Sequence, residues 1–244
     1  MTESSMPGGS RSGVVRNGGS VHRPPSPRGA FIRALLTLFE DRGWEGAPRH
    51  RGTDAQGREI LGFLPGHVAW EPVQPPDVTS DASLVRLARL IRGFHDLTAG
   101  STPAEGAEVV CHNDLAPKNT VYRDLGEGLR PVAFIDWDLA SPGRRVDDVA
   151  HACWQYLGLG PDVSDVEETA RRIGVIRDAY GLDEREDVLD RVLWWQDRCR
   201  RGIEAGAAAG DPALIRLRDS GAAREVGRSH AWVEAHRHRL TPPS

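Results

Sequence analysis

Lysine is almost missing from this chain: of its 31 basic residues 30 are Arg, and Lys118 is the single Lys. Any role that demands an ammonium group therefore falls to position 118 or to the N-terminus. Cysteine is scarce too. Cys111, Cys153 and Cys199 are odd in number and show no CxxC spacing, which argues against a disulfide framework and a structural zinc and makes a reducing cytoplasm the expected compartment. No apolar run approaches the roughly 18 residues of a membrane helix, and Met1 to Gly13 carry no apolar core of a signal peptide. The net charge is only −4, so no overall field draws the chain to nucleic acid or to an anionic membrane. What remains is a globular composition, 39% hydrophobic and 27% charged over 244 residues, enough for one large domain or two small lobes.

The first 29 residues are rich in Gly, Ser, Pro and Arg and would read as a disordered tail, but for two β-prone pieces. Residues 14–16 and 20–23 flank Asn17-Gly18-Gly19, whose residues tolerate the positive φ of a tight hairpin. A helix is predicted from about Arg28 to Asp41, with Phe31, Leu35 and Leu38 on its buried face and Gly43 as its stop. A second hairpin follows, with arms at 48–52 and 58–63 and turn chemistry between them. Leu64-Pro65-Gly66 is the expected hinge, dividing a small lobe (1–66) from a larger helical one (67–244). Leu84, Leu87, Ile91 and Phe94 step by 3, 4 and 3, an amphipathic stripe for a helix over 81–97. Short buried strands are expected at 109–111 and 132–135. From Val146 onward the chain reads helical, with breaks near 158–161, 181 and 206–212.

Between those two strands lies Cys111-His112-Asn113-Asp114-Leu115-Ala116-Pro117-Lys118-Asn119-Thr120. Asn occurs only three times in the chain, so H-x-D-x-x-x-x-N is expected by chance roughly 0.01 times at this composition. The run Val132 to Ile135 then delivers Asp136, Trp137 and Asp138, twenty-two residues after Asp114. Loops at strand ends can aim such oxygen-bearing groups at one point. Phosphoryl transfer to a hydroxyl needs this set: a carboxylate for the acceptor's proton, and hard oxygen ligands for Mg²⁺ on the nucleotide phosphates. Asp114 suits the first task, Asn119 and Asp136 the second, in the order of the kinase signatures H-R-D-x-x-x-x-N and D-F-G.

With HNDLAPKNT, FIDWDLASPG and VDDVA in place, the chain resembles the aminoglycoside phosphotransferase and choline kinase family. The resemblance covers about residues 13–155 and implies a protein-kinase-like, two-lobed α+β fold with a shortened β-rich N-lobe. It implies Asp114 as catalytic base, Asn119 and Asp136 as magnesium ligands, and Asp148 as the acid that brases the catalytic loop from within. ATP or GTP would sit near Gly62, Phe63 and Leu64, and a small-molecule alcohol would be the acceptor. The family's phosphate-gripping Lys or Arg falls on His22, with Arg23 beside it; the expected Glu partner is not evident, Glu40 lying late in its helix. Gly8 to Gly13 would supply a thin phosphate-cradling loop.

Several residues carry two readings. Asp138 is a second metal contact or a loop-stabilising acid; His112 orients the catalytic loop or handles protons. Lys118 lies near a phosphate or is a surface Lys. Trp154, Trp194 and Trp195 pack helices or stack on substrate. The acids Asp162, Asp165, Glu167, Glu168, Asp183, Glu184, Glu186 and Asp187 would surround a polycationic acceptor, or serve as helix caps and solvated termini. Two rivals stand beside the kinase reading: a pseudokinase-type binding or regulatory protein on the same fold, and a metal-dependent hydrolase built on His112, Asp114, Asp136 and Asp138.

Overall fold

The computed structural model describes residues 4–5, 13–71 and 73–241; the loop proposed over Gly8 to Ser12 lies outside the described residues. The N-terminal part is an antiparallel sheet in the order β1-β2-β3-β5-β4, made of β1 (Ser4–Ser5), β2 (Val15–Asn17), β3 (Ser20–Arg23), β4 (His50–Thr53) and β5 (Glu59–Gly62). The first hairpin turns where expected. Asn17 pairs with Ser20, and Gly18 adopts φ +58°, the positive value that Gly reaches without a Cβ clash. Asp54 shapes the second turn by accepting from the backbone N–H groups of Gln56 and Arg58 at 3.0 and 2.9 Å.

Helix α1 (Gly29–Asp41) crosses from β3 to β4 and ends at Gly43 as predicted, with φ +68°. Its buried face differs from expectation: Ile32, Leu35, Leu36 and Phe39 are inside, while Phe31 and Leu38 are half-buried. The 32/35/36/39 set continues the 3.6-residue period one position on and brings Phe39 into the core. There Phe39 meets Trp44, Phe94 and Trp137, with ring centroids 4.7, 6.4 and 5.1 Å away. This aromatic cluster joins α1 to the C-terminal part.

That part begins with β6 (His67–Val68) and α2 (Asp81–Thr98). Ser80 caps α2 by accepting from Ser83 N–H at 3.3 Å, and the predicted stripe Leu84, Leu87, Ile91 and Phe94 is wholly buried. Two small sheets carry the loops that matter. Strand β7 (Val109–Cys111) pairs with β10 (Ser141–Gly143), and β8 (Thr120–Asp124) lies between β6 and β9 (Leu129–Phe134). Five helices complete the chain: α3 (Arg145–Leu157), α4 (Val166–Tyr180), α5 (Val188–Ala208), α6 (Pro212–Asp219) and α7 (Ala222–Leu240). The break expected over 206–212 is present: α5 ends at Ala208 and α6 begins at Pro212, with Gly210 at φ +87° between them. Gly206 itself stays within α5, where a side chain would collide with Leu214 of α6. A further break falls at Gly221 (φ +89°) between α6 and α7. Among the described residues no helix is long and apolar enough to cross a membrane.

Gly66 follows β5 and passes tightly over β8. A Cβ built on it would lie 2.5 Å from the Tyr122 carbonyl oxygen and 2.6 Å from Val121 Cγ1, at φ +153°. Neither backbone can yield cheaply. Gly66→Ala is expected to cost about 1–3 kcal/mol, read as a lower urea midpoint with an unchanged denaturant slope; an unaltered midpoint would show that the passage is slack.

Candidate active site

Strand β7 is buried along its whole length and releases the chain at His112. The turn that follows is held from below by Asp148 of α3, fully buried, which accepts from His112 N–H at 2.7 Å and Asn113 N–H at 2.9 Å. Asn113 takes the left-handed conformation at φ +65°, which Asn tolerates better than most residues. Its amide donates to the Leu139 carbonyl and to Ser141 Oγ at 2.9 and 2.8 Å, tying the loop after β7 to the segment after β9. The two loops meet again where Ile135 N–H donates to the Asn119 carbonyl at 2.9 Å. The next residue, Asp136, also takes the left-handed conformation, at φ +62°.

His112 has both ring nitrogens engaged by backbone. Nε2 lies 3.0 Å from the Ile135 carbonyl and must donate to it; Nδ1 then accepts from Asp114 N–H at 3.3 Å. That arrangement suits orienting the loop rather than passing protons. Asn119, 6% exposed, donates its amide to the Asp114 carbonyl at 2.9 Å and to Asp114 Oδ2 at 2.8 Å. Its Oδ1 is thereby turned away from Asp114.

Three carboxylates, Asp114, Asp136 and Asp138, share this corner. Burial, then the negative charges of Asp138 and Asp114, push the Asp136 carboxyl above the ordinary range, against the opposing pull of His112 and Arg23. Crowded carboxylates, only partly offset by Arg23, beside the Asn119 amide oxygen form a hard-oxygen donor set that fits a divalent magnesium ion.

The structure separates the two residues expected to grip phosphate. Neighbours in a strand point to opposite faces. Arg23 points at the carboxylates, with its guanidinium 3.0 Å from Glu59 and 3.1 Å from Asp138. His22 points the other way, to Asp54 at 2.9 Å and Ser20 Oγ at 3.1 Å, and is not brought to this cluster. Glu59 is the acid that pairs with Arg23, a partner that sequence reasoning missed. Its signal was present: an acid opening the apolar run Ile60-Leu61, directly opposite Arg23 in the β3–β5 register, and only 3% exposed. Gly62 and Phe63 close the sheet edge through bonds to the Arg49 and Gly19 carbonyls at 2.8 and 2.9 Å. Arg16 covers the Phe63 ring at 3.7 Å, and Leu64 follows, half-buried.

A second layer lies under the loop after β7. Asp148 also receives His95 Nε2 at 3.1 Å, and His95 Nδ1 meets the Tyr180 hydroxyl at 2.7 Å. Arg145 donates to that hydroxyl at 3.2 Å and pairs with Asp96 at 2.8 Å. Burial alone would raise the Asp148 carboxyl; the His95 and backbone bonds and nearby positive charge outweigh it and hold the group below its usual range. His95, Asp148 and Cys111 come within 4.8 Å of one another, but their polar atoms are already spent, with the Cys111 thiol donating to the Arg144 carbonyl at 3.2 Å. This is a brace, not a metal site.

The acids considered for a polycationic acceptor are mostly occupied elsewhere. Asp165 and Asp187 cap α4 and α5; Glu167, Glu168, Asp183 and Glu186 pair with Arg239, Arg171, Arg185 and Arg144.

The model of the phosphotransferase enzyme family matches residues 98–186, which include both loops. The chain is 31% identical to the trifolitoxin immunity protein of Rhizobium leguminosarum bv. trifolii over 213 residues, 77% of this chain and 78% of that protein. Among solved structures, the GDP complex of aminoglycoside 2′-phosphotransferase-IIIa superposes with a TM-score of 0.61 at 14% identity, covering 95% of this chain and 93% of that one. A choline/ethanolamine kinase family protein from Mesorhizobium loti gives 0.56 at 15% identity, covering 93% and 88%. The fold is thus the two-lobed, protein-kinase-like α+β architecture. The chain belongs to the phosphotransferase enzyme family.

Proposed function

We propose that this protein is a cytoplasmic small-molecule kinase that moves the γ-phosphoryl group of ATP or GTP to a hydroxyl, with the nucleotide held between residues 1–66 and 67–244. The carrying observation is the convergence of three segments: the loop after β7 with Asp114 and Asn119, the loop after β9 with Asp136 and Asp138, and β3 with Arg23. Asp114 accepts the acceptor's hydroxyl proton as that oxygen bonds to the γ-phosphorus. The bond from phosphorus to the bridging oxygen breaks, and the nucleoside diphosphate leaves with the electron pair. Asn119 steadies Asp114 through its amide, and Asn119 Oδ1 with the Asp136 carboxylate would hold Mg²⁺, with Asp138 as a further oxygen nearby. That ion, when bound, neutralises charge on the β- and γ-phosphates. Arg23, aligned by Glu59, is the cation directed at phosphate; its guanidinium takes the place of the Lys that the small lobe lacks.

The test is a thermal-shift titration with Mg·ATP and Mg·GTP. At about 100 times Kd a nucleotide adds roughly 2.7 kcal/mol, a rise on the order of 5–10 °C for a chain of this size. Asp136→Ala, or chelation of the metal, is expected to remove most of that rise while the ligand-free melting temperature changes little. A shift retained in full by Asp136→Ala would remove this residue from metal binding. The name of a relative, an immunity protein, goes with a second reading, a pseudokinase-type binding or regulatory protein on the same fold. It predicts no nucleotide shift at millimolar concentration.

A further inference from the structure

Granted the phosphotransferase reading above, one end of the nucleotide is fixed: its phosphates lie with Arg23 and the carboxylates around Asp136. Its other end runs along the surface that leads away from Arg23. Residues alternate between faces along a strand, and directly paired residues share one. The register of β2, β3 and β5 therefore gathers Arg16, Val21, Arg23, Glu59 and Leu61 on a single face. Val21 is paired with Arg16 on one side and with Leu61 on the other, and Arg23 is paired with Glu59. Phe63 prolongs the ladder, its N–H donating to the Gly19 carbonyl at 2.9 Å. From Arg23 this face extends about 7 Å along β3 to Val21 and about 5 Å across to Arg16, a step that a ribose can bridge.

The far end of the face is apolar and rich in donors. Leu61 is buried there, and Val21 and Phe63 are half-buried. The Arg16 guanidinium rests on the Phe63 ring, 3.7 Å from its centroid, and its Nε–H donates to the Gly18 carbonyl at 3.0 Å. These two contacts hold the head of an otherwise exposed side chain. Among the described residues no acceptor takes the N–H groups of its two terminal nitrogens. A guanidinium donates and never accepts. The purines differ in this respect: guanine presents two adjacent acceptors, O6 and N7, whereas adenine sets the N6 amino donor beside N7. A fixed Arg with unspent N–H groups thus matches guanine and sets donor against donor on adenine.

We infer that Arg16 selects the phosphate donor and that the donor is a guanine nucleotide. The base lies on Val21 and Leu61 beside Phe63, with its O6 and N7 accepting from the terminal nitrogens of Arg16. The phosphotransferase reading leaves ATP and GTP equal; this contact separates them.

Calorimetric titration of the full chain with Mg·GTP, Mg·ITP and Mg·ATP, without acceptor, reads the preference directly. ITP keeps O6 and N7 and lacks the 2-amino group. GTP and ITP should bind alike, both roughly tenfold more tightly than ATP or better. Arg16→Met keeps a stem over Phe63 without the donors and should level the three. Arg16→Gln, whose amide can pair with N6 and N7 of adenine, should move the preference to ATP. ATP bound as tightly as GTP, ITP bound as weakly as ATP, or a GTP preference that survives Arg16→Met would each overturn the inference and leave the kinase reading standing. Binding of none of the three at millimolar concentration would sink that reading, and the guanine site with it.

Discussion

Asp114→Ala is expected to slow phosphoryl transfer by roughly 10² to 10⁴-fold, measured as nucleoside diphosphate release in a single turnover with a competent acceptor. The loss belongs to the chemical step. Asp114 contributes a carboxylate oxygen to the Asn119 amide at 2.8 Å, but the Asp114 carbonyl accepts from the same amide at 2.9 Å and survives the substitution. Asn119 therefore keeps its orientation, and nucleotide affinity should move little. Removing one of three crowded carboxylates also relieves Asp136, whose carboxyl Asp114 pushes upward. A variant that turned over at the wild-type rate would end the assignment of Asp114 as base, and one that lost nucleotide binding in parallel would show a structural role instead.

The largest effect on stability is expected at Asp148. Its carboxylate, fully buried, is the acceptor for two backbone N–H groups and for His95. Asp148→Ala leaves three buried donors without a partner, a loss on the order of 3–5 kcal/mol. For a chain of this length the melting temperature should fall by roughly 10 °C or more. The pH dependence follows from the direction of the shift. The carboxyl is held below its ordinary range in the folded protein, so its contribution is complete above the unfolded pKa of about 3.9 and fades as pH falls through the folded value. Asp148→Asn should accordingly lose stability at neutral pH and show a shallower fall with acid below about pH 4. An Asp148→Ala protein as stable as the wild type would mean that the loop needs no brace.

Much of the small lobe was legible because its signals are local. Asn17-Gly18-Gly19 sets a hairpin by backbone sterics, and Asp54 shapes the next by bonding two N–H groups within four residues. Helix α2 was equally plain, since four apolar residues at helical spacing leave one face to bury. Helix α1 was misjudged by one position: Phe31 and Ile32 both fit an apolar stripe, and only the place of Phe39 against Trp44 and Trp137 chooses between them. The break after α5 was legible over 206–212, but that Gly206 stays inside the helix, with Leu214 of α6 in the space beside it, is a matter of tertiary packing.

The order and spacing of His112, Asp114, Asn119 and Asp136 are properties of the chain itself, and they were enough to name the chemistry, because phosphoryl transfer asks for a base and two oxygen ligands in that sequence of loops. Tertiary structure alone decided which cation faces them. His22 and Arg23 differ by one step along a strand, and the β3–β5 register, which sets Arg23 against Glu59 across thirty-six residues, turns Arg23 inward and His22 to Asp54. It also decided the fate of the acids, most of them spent on caps and arginines. The physical reason is range: turn chemistry and periodicity act over a few residues, whereas pairing of charges depends on which distant segments the packed core brings within a few ångströms.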